Sequence, residues 1–421
     1  MRWHDEEPWP ETHHSYKTNR FETQVGARAT RFNKVLTPRG GRQGREGAVT
    51  EELDRRSFLR LGAAGTAGLA LAGTGGLSAL LAACGSSSKS ASSATTAAGG
   101  SSTTAKPNFG TLDYQLSWIK NDEFSGEYLS DSRGYYIQQG FNNVNLISGG
   151  PNVQQDAVVA SGKAFVGISS PDITSPAILQ GADLITVGAQ YQKNPFAIMS
   201  LASKPIHTPQ EMIGKKIGVQ STNESVWKSF LKANNIDPSK ITEVPVQFDP
   251  TPLTTGTVDG WFSFITNEPN LLKVKGVDTT IFELSDFNYP LVSETYIVRK
   301  SSVASERDKV KAVLVADIKG WHDSIADPTA GPHQAVTKYG SNLGLNEAEQ
   351  VLESRAQNKL VLTPDTMANG IFTITPALVQ ESISTLAIGG ISITSDKLFD
   401  LSVIEEVYKE HPELKTAPTP G

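Results

Sequence analysis

From Asn108 onward, short apolar runs rich in β-branched residues alternate with longer amphipathic stretches, and this rhythm constrains the fold more than any other feature. It is the pattern of sheets whose strands are joined by crossover helices. Strands are predicted at 112–118, 144–147, 165–168 and 184–189, with helices at 126–139, 152–161 and 173–180. Each helix runs into a glycine (Gly140, Gly162, Gly181), the residue that most readily takes the left-handed backbone of a helix C-terminus. A second set follows, with strands at 216–219, 243–246, 260–264 and 279–284 and helices at 224–234 and 268–273. From 303 the chain reads as helical, at 303–324, 327–339, 345–357, 375–386 and 403–410. The expectation is two α/β lobes, 108–202 with 293–421 and 203–292. The chain would cross out near 199–204 and return near 293–299, with a ligand cleft at the carboxyl ends of the strands.

Charge excludes one large class of partner. The 421 residues carry 38 Lys/Arg and 44 Asp/Glu, and the first 83 hold 12 of the basic and 9 of the acidic side chains. The remaining body is near -9 and has no basic stripe, so nucleic acid is not an expected partner. Cys84 is the only cysteine, which excludes an intrachain disulfide and a thiolate metal site. No metal or cofactor is expected.

The N-terminal quarter reads as an address. Residues 1–53 form a polar, Arg-rich extension whose length also suits a start codon nearer Val49 or Leu53. Asp54-Arg55-Arg56-Ser57-Phe58-Leu59 resembles a twin-arginine export signal. The glycine-interrupted apolar run that follows ends Leu81-Ala82-Ala83-Cys84-Gly85, which matches a bacterial lipobox. Residues 54–83 are thus expected to be removed and Cys84 to carry lipid at the mature N-terminus. The alternative is a retained anchor helix, since the run approaches the roughly 20 residues that span a bilayer. Its glycines favour processing. Residues 84–107, nearly all Ser, Thr, Ala and Gly, bury too little to offset ordering entropy and read as a disordered tether.

Side chains suited to a flat, amino-bearing ring gather at the expected strand ends. Trp118, Phe124, Tyr191 and Trp261 offer stacking faces, although core burial competes for Phe124 and Trp261. Glu123, Asp172, Glu268 and Glu294 offer acceptors, although Asp172 and Glu268 also suit a first helical turn. Ser169-Ser170 and Gln220-Ser221-Thr222 precede helices and would place hydroxyls and free N–H groups at the cleft. That last arrangement equally suits an anion.

Several segments carry a resemblance: Leu116-Ser-Trp118, Asn121-Asp-Glu123-Phe124, Gly134-Tyr-Tyr136, Gly149-Gly-Pro151, Ser161-Gly-Lys-Ala-Phe-Val-Gly167, Tyr191-Gln-Lys-Asn-Pro195, Gly214-Lys-Lys-Ile-Gly-Val219 and Asn267-Glu-Pro269. Over about 110–300 the chain resembles the solute-binding proteins of ABC importers for thiamine pyrimidine precursors, riboflavin-like compounds, aliphatic sulfonates, taurine and nitrate. The resemblance implies a two-lobed periplasmic-binding-protein type II fold and a small-molecule ligand in the inter-lobe cleft. It also implies an importer permease as partner, and a monomer held outside the cytoplasm by its lipid. Asn121 and Asn267 join the site residues on this ground. An aromatic heterocycle is the first expectation, and a sulfonate, taurine or nitrate the alternative.

A thiamine-pyrimidine synthase shares this fold, so catalysis is the distant alternative. In that enzyme family a Lys and a His follow the Ser-Gly-Lys…Gly strand, and the corresponding positions here hold Ser169 and Ile173. The histidines (His4, His13, His14, His207, His322, His333, His411) are scattered, and no nucleophile or acid/base constellation assembles. The body is expected to be non-catalytic.

Overall fold

The computed structural model describes residues 107–421; Cys84, Arg55 and Arg56, with the export and lipidation features expected around them, lie outside the described residues. The first strands are β1 (Gly110–Gln115), β2 (Phe141–Ile147), β3 (Val166–Ser169), β4 (Ile185–Tyr191) and β5 (Phe196–Leu201). They are followed by β6 (Lys216–Val219), β7 (Thr242–Pro245), β8 (Gly260–Phe264), β9 (Thr279–Glu283) and β10 (Ser293–Val298). Two five-stranded sheets result, ordered β2-β1-β3-β10-β4 and β7-β6-β8-β5-β9. In the first, β1 is parallel to β2 and β3, while β10 returns late in the chain and lies antiparallel between β3 and β4. In the second, β6 is parallel to β7 and β8, and β5 is antiparallel to β8 and β9. Only the first sheet takes a strand from beyond the second lobe, β10; the second is built of the consecutive strands β5 to β9.

β5 corrects the expected lobe boundary. The sequence places residues 196–201 in the first lobe, but they pair with the second sheet from Phe196↔Phe264 to Ser200↔Gly260. The crossing is the short segment 192–195. Asn194 ties it to the returning chain, its Nδ2 donating to the Tyr289 carbonyl at 3.1 Å and its Oδ1 accepting the Phe196 N–H at 2.8 Å. A run such as Phe-Ala-Ile-Met-Ser-Leu, buried along almost its whole length, shows no face preference, so its periodicity cannot say which sheet it joins.

Two other expectations change. The first strand ends at Gln115, and Leu116 to Trp118 turn away as a loop fixed by the Gly149 N–H donating to the Trp118 carbonyl at 2.8 Å. The helix expected at 126–139 is two, Ser125–Ser132 and Tyr135–Gln139, broken at Gly134, whose φ is +72°. The C-terminal helices Arg307–Ala326 and Ser402–Glu410 pack into the core of the first lobe. Helix Arg307–Ala326 comes close to Ser125–Ser132 because both carry glycine at the crossing. A Cβ on Gly126 would overlap the Trp321 indole, and one on Gly320 would overlap the Gly126 carbonyl and the Ser130 hydroxyl. Among the described residues no helix is long and apolar enough to cross a membrane.

Candidate functional site

The carboxyl ends of the two sheets face each other across a narrow cleft. It holds about 480 Å³ of atom-free space, part of it open to solvent. Direct hydrogen bonds join the lobes across it. On one side the loop after β2 meets the turn after β6: the Thr222 N–H donates to the Pro151 carbonyl at 3.0 Å, and its hydroxyl to the Val153 carbonyl at 3.1 Å. Asn152 Nδ2 adds a contact to Gln247 Oε1 at 3.2 Å. Near the returning segment, the Tyr289 hydroxyl donates to Asp172 Oδ2 at 2.8 Å.

The first lobe contributes the acidic wall. Glu123 sits on a 3-10 turn, Asp122–Phe124, that follows the loop after β1, and Glu294 lies at the start of β10. Both are about 2% exposed. The Ser117 hydroxyl lies 2.9 Å from Glu123 Oε1 and 2.9 Å from Glu294 Oε2. One hydroxyl proton cannot serve two acceptors at once. Burial pushes both carboxyls well above the usual carboxylate range, and each is raised further by neighbouring acids. Glu294 also holds φ at +46°, a left-handed backbone unusual for a residue with a long side chain. Such conformations survive where the surroundings over-determine them, and they concentrate at binding sites. Trp118 stands beside this pair, 9% exposed.

The second lobe contributes an aromatic wall. Phe196 and Phe264 meet edge-to-face at 4.6 Å between ring centroids, and Phe196 and Phe262 lie tilted at 5.0 Å. All three line the cleft. Glu268 opens helix Glu268–Val274, accepts the Phe264 N–H at 3.0 Å, and is pushed up to about 7 by burial. Among the residues lining this cleft there is no lysine, arginine or histidine. Among the described residues no three His, Cys, Asp or Glu side chains are arranged to hold a metal ion.

The cleft brings together eight of the residues expected from sequence: Trp118, Glu123, Ser169, Ser170, Gln220, Asn267, Glu268 and Glu294. Some already have internal partners. The Ser169 hydroxyl donates to Asp156 Oδ2 at 2.6 Å, and Gln220 Nε2 to the Phe262 carbonyl at 3.0 Å. Six others lie elsewhere. Asn121 turns back to Glu353 Oε1 at 2.8 Å, and the Tyr191 hydroxyl donates to Gln357 Oε1 at 2.7 Å, both on helix Glu347–Val361. Phe124 is core, packed edge-on to Tyr128. Asp172 accepts from Ser170 and Tyr289 at the lobe junction, and Ser221 is exposed outside the cleft. Trp261 falls on the opposite face of β8 from Phe262 and Phe264 and packs with Met199 and Leu253.

Thr222, from the Gln220-Ser221-Thr222 segment, also lines the cleft, while sequence reasoning missed Ser117, Gln155, Ile173, Phe196, Asn223, Phe262, Ser263 and Phe264. Phe262 and Phe264 were within reach: with Trp261 they form one strand, and period-2 alternation leaves only the choice of face. Ser117 lay inside the Leu116-Ser-Trp118 segment, but only the bend that ends β1 turns it toward Glu294.

Two α/β lobes, linked by two crossings and meeting over a cleft at their strand ends, define a periplasmic-binding-protein type II fold. The chain belongs to the NMT1/THI5-like family, which matches residues 121–331. It is 25% identical over 230 residues to the riboflavin-binding protein RibY of Chloroflexus aurantiacus, covering 53% of this chain and 65% of that protein, just under two thirds of its length. It is 23% identical over 226 residues to the formylaminopyrimidine-binding protein of Halalkalibacterium halodurans, covering 52% of this chain and 67% of that one. The alkanesulfonate-binding protein SsuA from Xanthomonas axonopodis pv. citri, solved bound to MOPS, shares the fold with a TM-score of 0.51 at 13% identity, over 68% of this chain and 95% of that one.

Proposed function

We propose that the protein is the extracytoplasmic substrate-binding component of an ABC importer. It would capture a small aromatic heterocycle that offers N–H donors, a thiamine pyrimidine precursor or a riboflavin-like compound, and pass it to the membrane permease without chemical change. The relatives that bind riboflavin and formylaminopyrimidine support the role. One observation carries the ligand class: Glu123, Glu268 and Glu294 line the cleft with aromatic rings and without a single cationic side chain. Carboxyls with no cation beside them give a sulfonate or nitrate no counter-charge, and their oxygens accept from a donor. The anion reading rests on a fold shared at 13% identity and has no basic residue in the cleft to support it.

A thermal-shift panel of thiamine pyrimidines, riboflavin, taurine, an alkanesulfonate and nitrate tests this directly. A true ligand at 100 times its dissociation constant adds about 2.7 kcal/mol. The expected result is a shift with a heterocycle and none with the anions; the opposite pattern sinks the reading. The site residues proposed are Trp118, Glu123, Glu294, Phe264 and Glu268. Delivery would start from a lipid on Cys84 after twin-arginine export. Intact mass of the membrane-extracted protein should then begin at residue 84 with acyl groups attached, and a mature chain retaining 55–83 would refute the anchor.

A further inference from the structure

The Glu123–Ser117–Glu294 bridge has a chemistry beyond accepting hydrogen bonds. Two carboxyls, each about 2% exposed, meet one hydroxyl at equal distance in the cleft. Everything ionisable that faces them is acidic or phenolic. Glu127 comes from helix Ser125–Ser132 and Glu268 from the second lobe. Asp122, Glu349 and Glu353 belong to the acidic layer between the 3-10 turn and helix Glu347–Val361, and Tyr191 comes from β4. Lys275 acts on Glu349 at the far edge of this group, not on the pair. Two full negative charges so placed would lack a counter-charge, and like-charged neighbours this close cannot both ionise. The pair must hold a proton, and with two near-equivalent oxygens on either side of Ser117 that proton is shared.

Resting on the reading of this cleft as a heterocycle site, we propose that Glu123 and Glu294 share one proton in the empty cleft and hand it to the basic ring nitrogen of an amidine-type heterocycle. The carboxyl O–H bond breaks and an N–H bond forms on the ring. The proton stays within the site, and no oxidant, reductant or further reactant is involved. The ligand is then a cation whose ring N–H and exocyclic N–H face two carboxylates, and that cation is the counter-charge the apo cleft lacks. The aromatic wall of Phe196, Phe262 and Phe264 supplies the face over which such a cation is further stabilised. The substrate class is therefore a weakly basic aminopyrimidine or its like. A neutral ring without a basic amidine nitrogen would have to displace the proton to solvent or leave it between the carboxyls.

Two measurements test the proposal, the first without any ligand. Between pH 6 and 9 the unliganded wild type should release one proton more than the isosteric double variant Glu123→Gln/Glu294→Gln. Superimposed titration curves would overturn the shared proton. The second uses 4-amino-2-methylpyrimidine at pH 8, where the free probe is neutral. The ultraviolet difference spectrum of the bound probe should match the spectrum of its acid form in free solution, and the double variant should bind at least tenfold more weakly. A bound probe with the neutral spectrum overturns the transfer. Binding of riboflavin but not of the pyrimidine also overturns it while leaving the proposed function standing. Binding of the sulfonate alone overturns both.

Discussion

At the scale of single residues, two aromatic side chains that look alike in sequence do different work. Trp118 lies on the cleft beside the carboxyl pair, whereas the Tyr191 ring is fully buried and its hydroxyl belongs to Gln357. Trp118→Ala should weaken ligand binding by about 1–3 kcal/mol, the loss typical of one stacking face, and should also lower stability, since the ring belongs to the core of the first lobe. Tyr191→Phe should touch stability alone: it strands the buried Gln357 Oε1, costs roughly 1–3 kcal/mol of stability, and leaves affinity unchanged. Calorimetric binding measured alongside melting curves separates the two roles. A loss of affinity in Tyr191→Phe at constant stability would contradict this placement. From sequence the two look equivalent, because Trp118 ends a predicted strand and Tyr191 lies two residues beyond the end of another. What separates them is that helix Glu347–Val361 covers Tyr191, a contact between distant segments that no local pattern announces.

At the scale of elements, the first lobe depends on a close helix crossing that the sequence signals only through glycines. Gly126 and Gly320 let Ser125–Ser132 and Arg307–Ala326 approach until backbone meets backbone. Gly320→Ala removes that space and should lower stability by about 1–3 kcal/mol through overpacking, read as a shifted denaturant midpoint at unchanged slope. A neutral or stabilising result would mean that the crossing has slack. The strand–helix rhythm was legible because crossover units repeat it, and the C-terminal helices because their apolar spacing is regular. β5 and the shortened β1 were not, since the sheet that a short buried run joins is decided by partners tens of residues away. The site shows the same division. Carboxylates and small polar residues at strand ends were readable, whereas the choice of Phe262 over Trp261 required the face of β8.

At the scale of the whole molecule, many acids are buried with few counter-ions. Burial raises Asp156 to about 6 and Glu268 to about 7, and lifts Glu123, Asp172, Glu294, Asp317 and Glu353 as well. An acid whose folded pKa is raised binds more protons folded than unfolded, so its stabilisation is complete below its unfolded pKa and is lost as pH rises through the folded value. His322, lowered to about 4 by burial, acts the other way, but its effect is confined to pH below its unfolded value near 6.5. From pH 6 to pH 8 the acids dominate, and Glu268 alone is worth on the order of 1 kcal/mol. The unliganded protein should therefore melt several degrees lower at pH 8 than at pH 6. A melting temperature that is flat or rising across that interval would contradict the buried-acid account. Ligand binding should narrow the gap, because a donor-rich ring supplies part of the missing counter-charge.

The most direct test of the central claim, that this cleft selects a hydrogen-bond-donating heterocycle over an anion, is titration calorimetry of the wild type and Glu123→Gln with the heterocycle found in the thermal-shift panel and with an alkanesulfonate. Replacing a buried charged acceptor by a neutral amide should weaken heterocycle binding at least tenfold, about 1.4 kcal/mol or more, while the sulfonate binds neither protein. Sulfonate binding by the wild type that is unchanged or strengthened in Glu123→Gln, with no heterocycle bound, would contradict it.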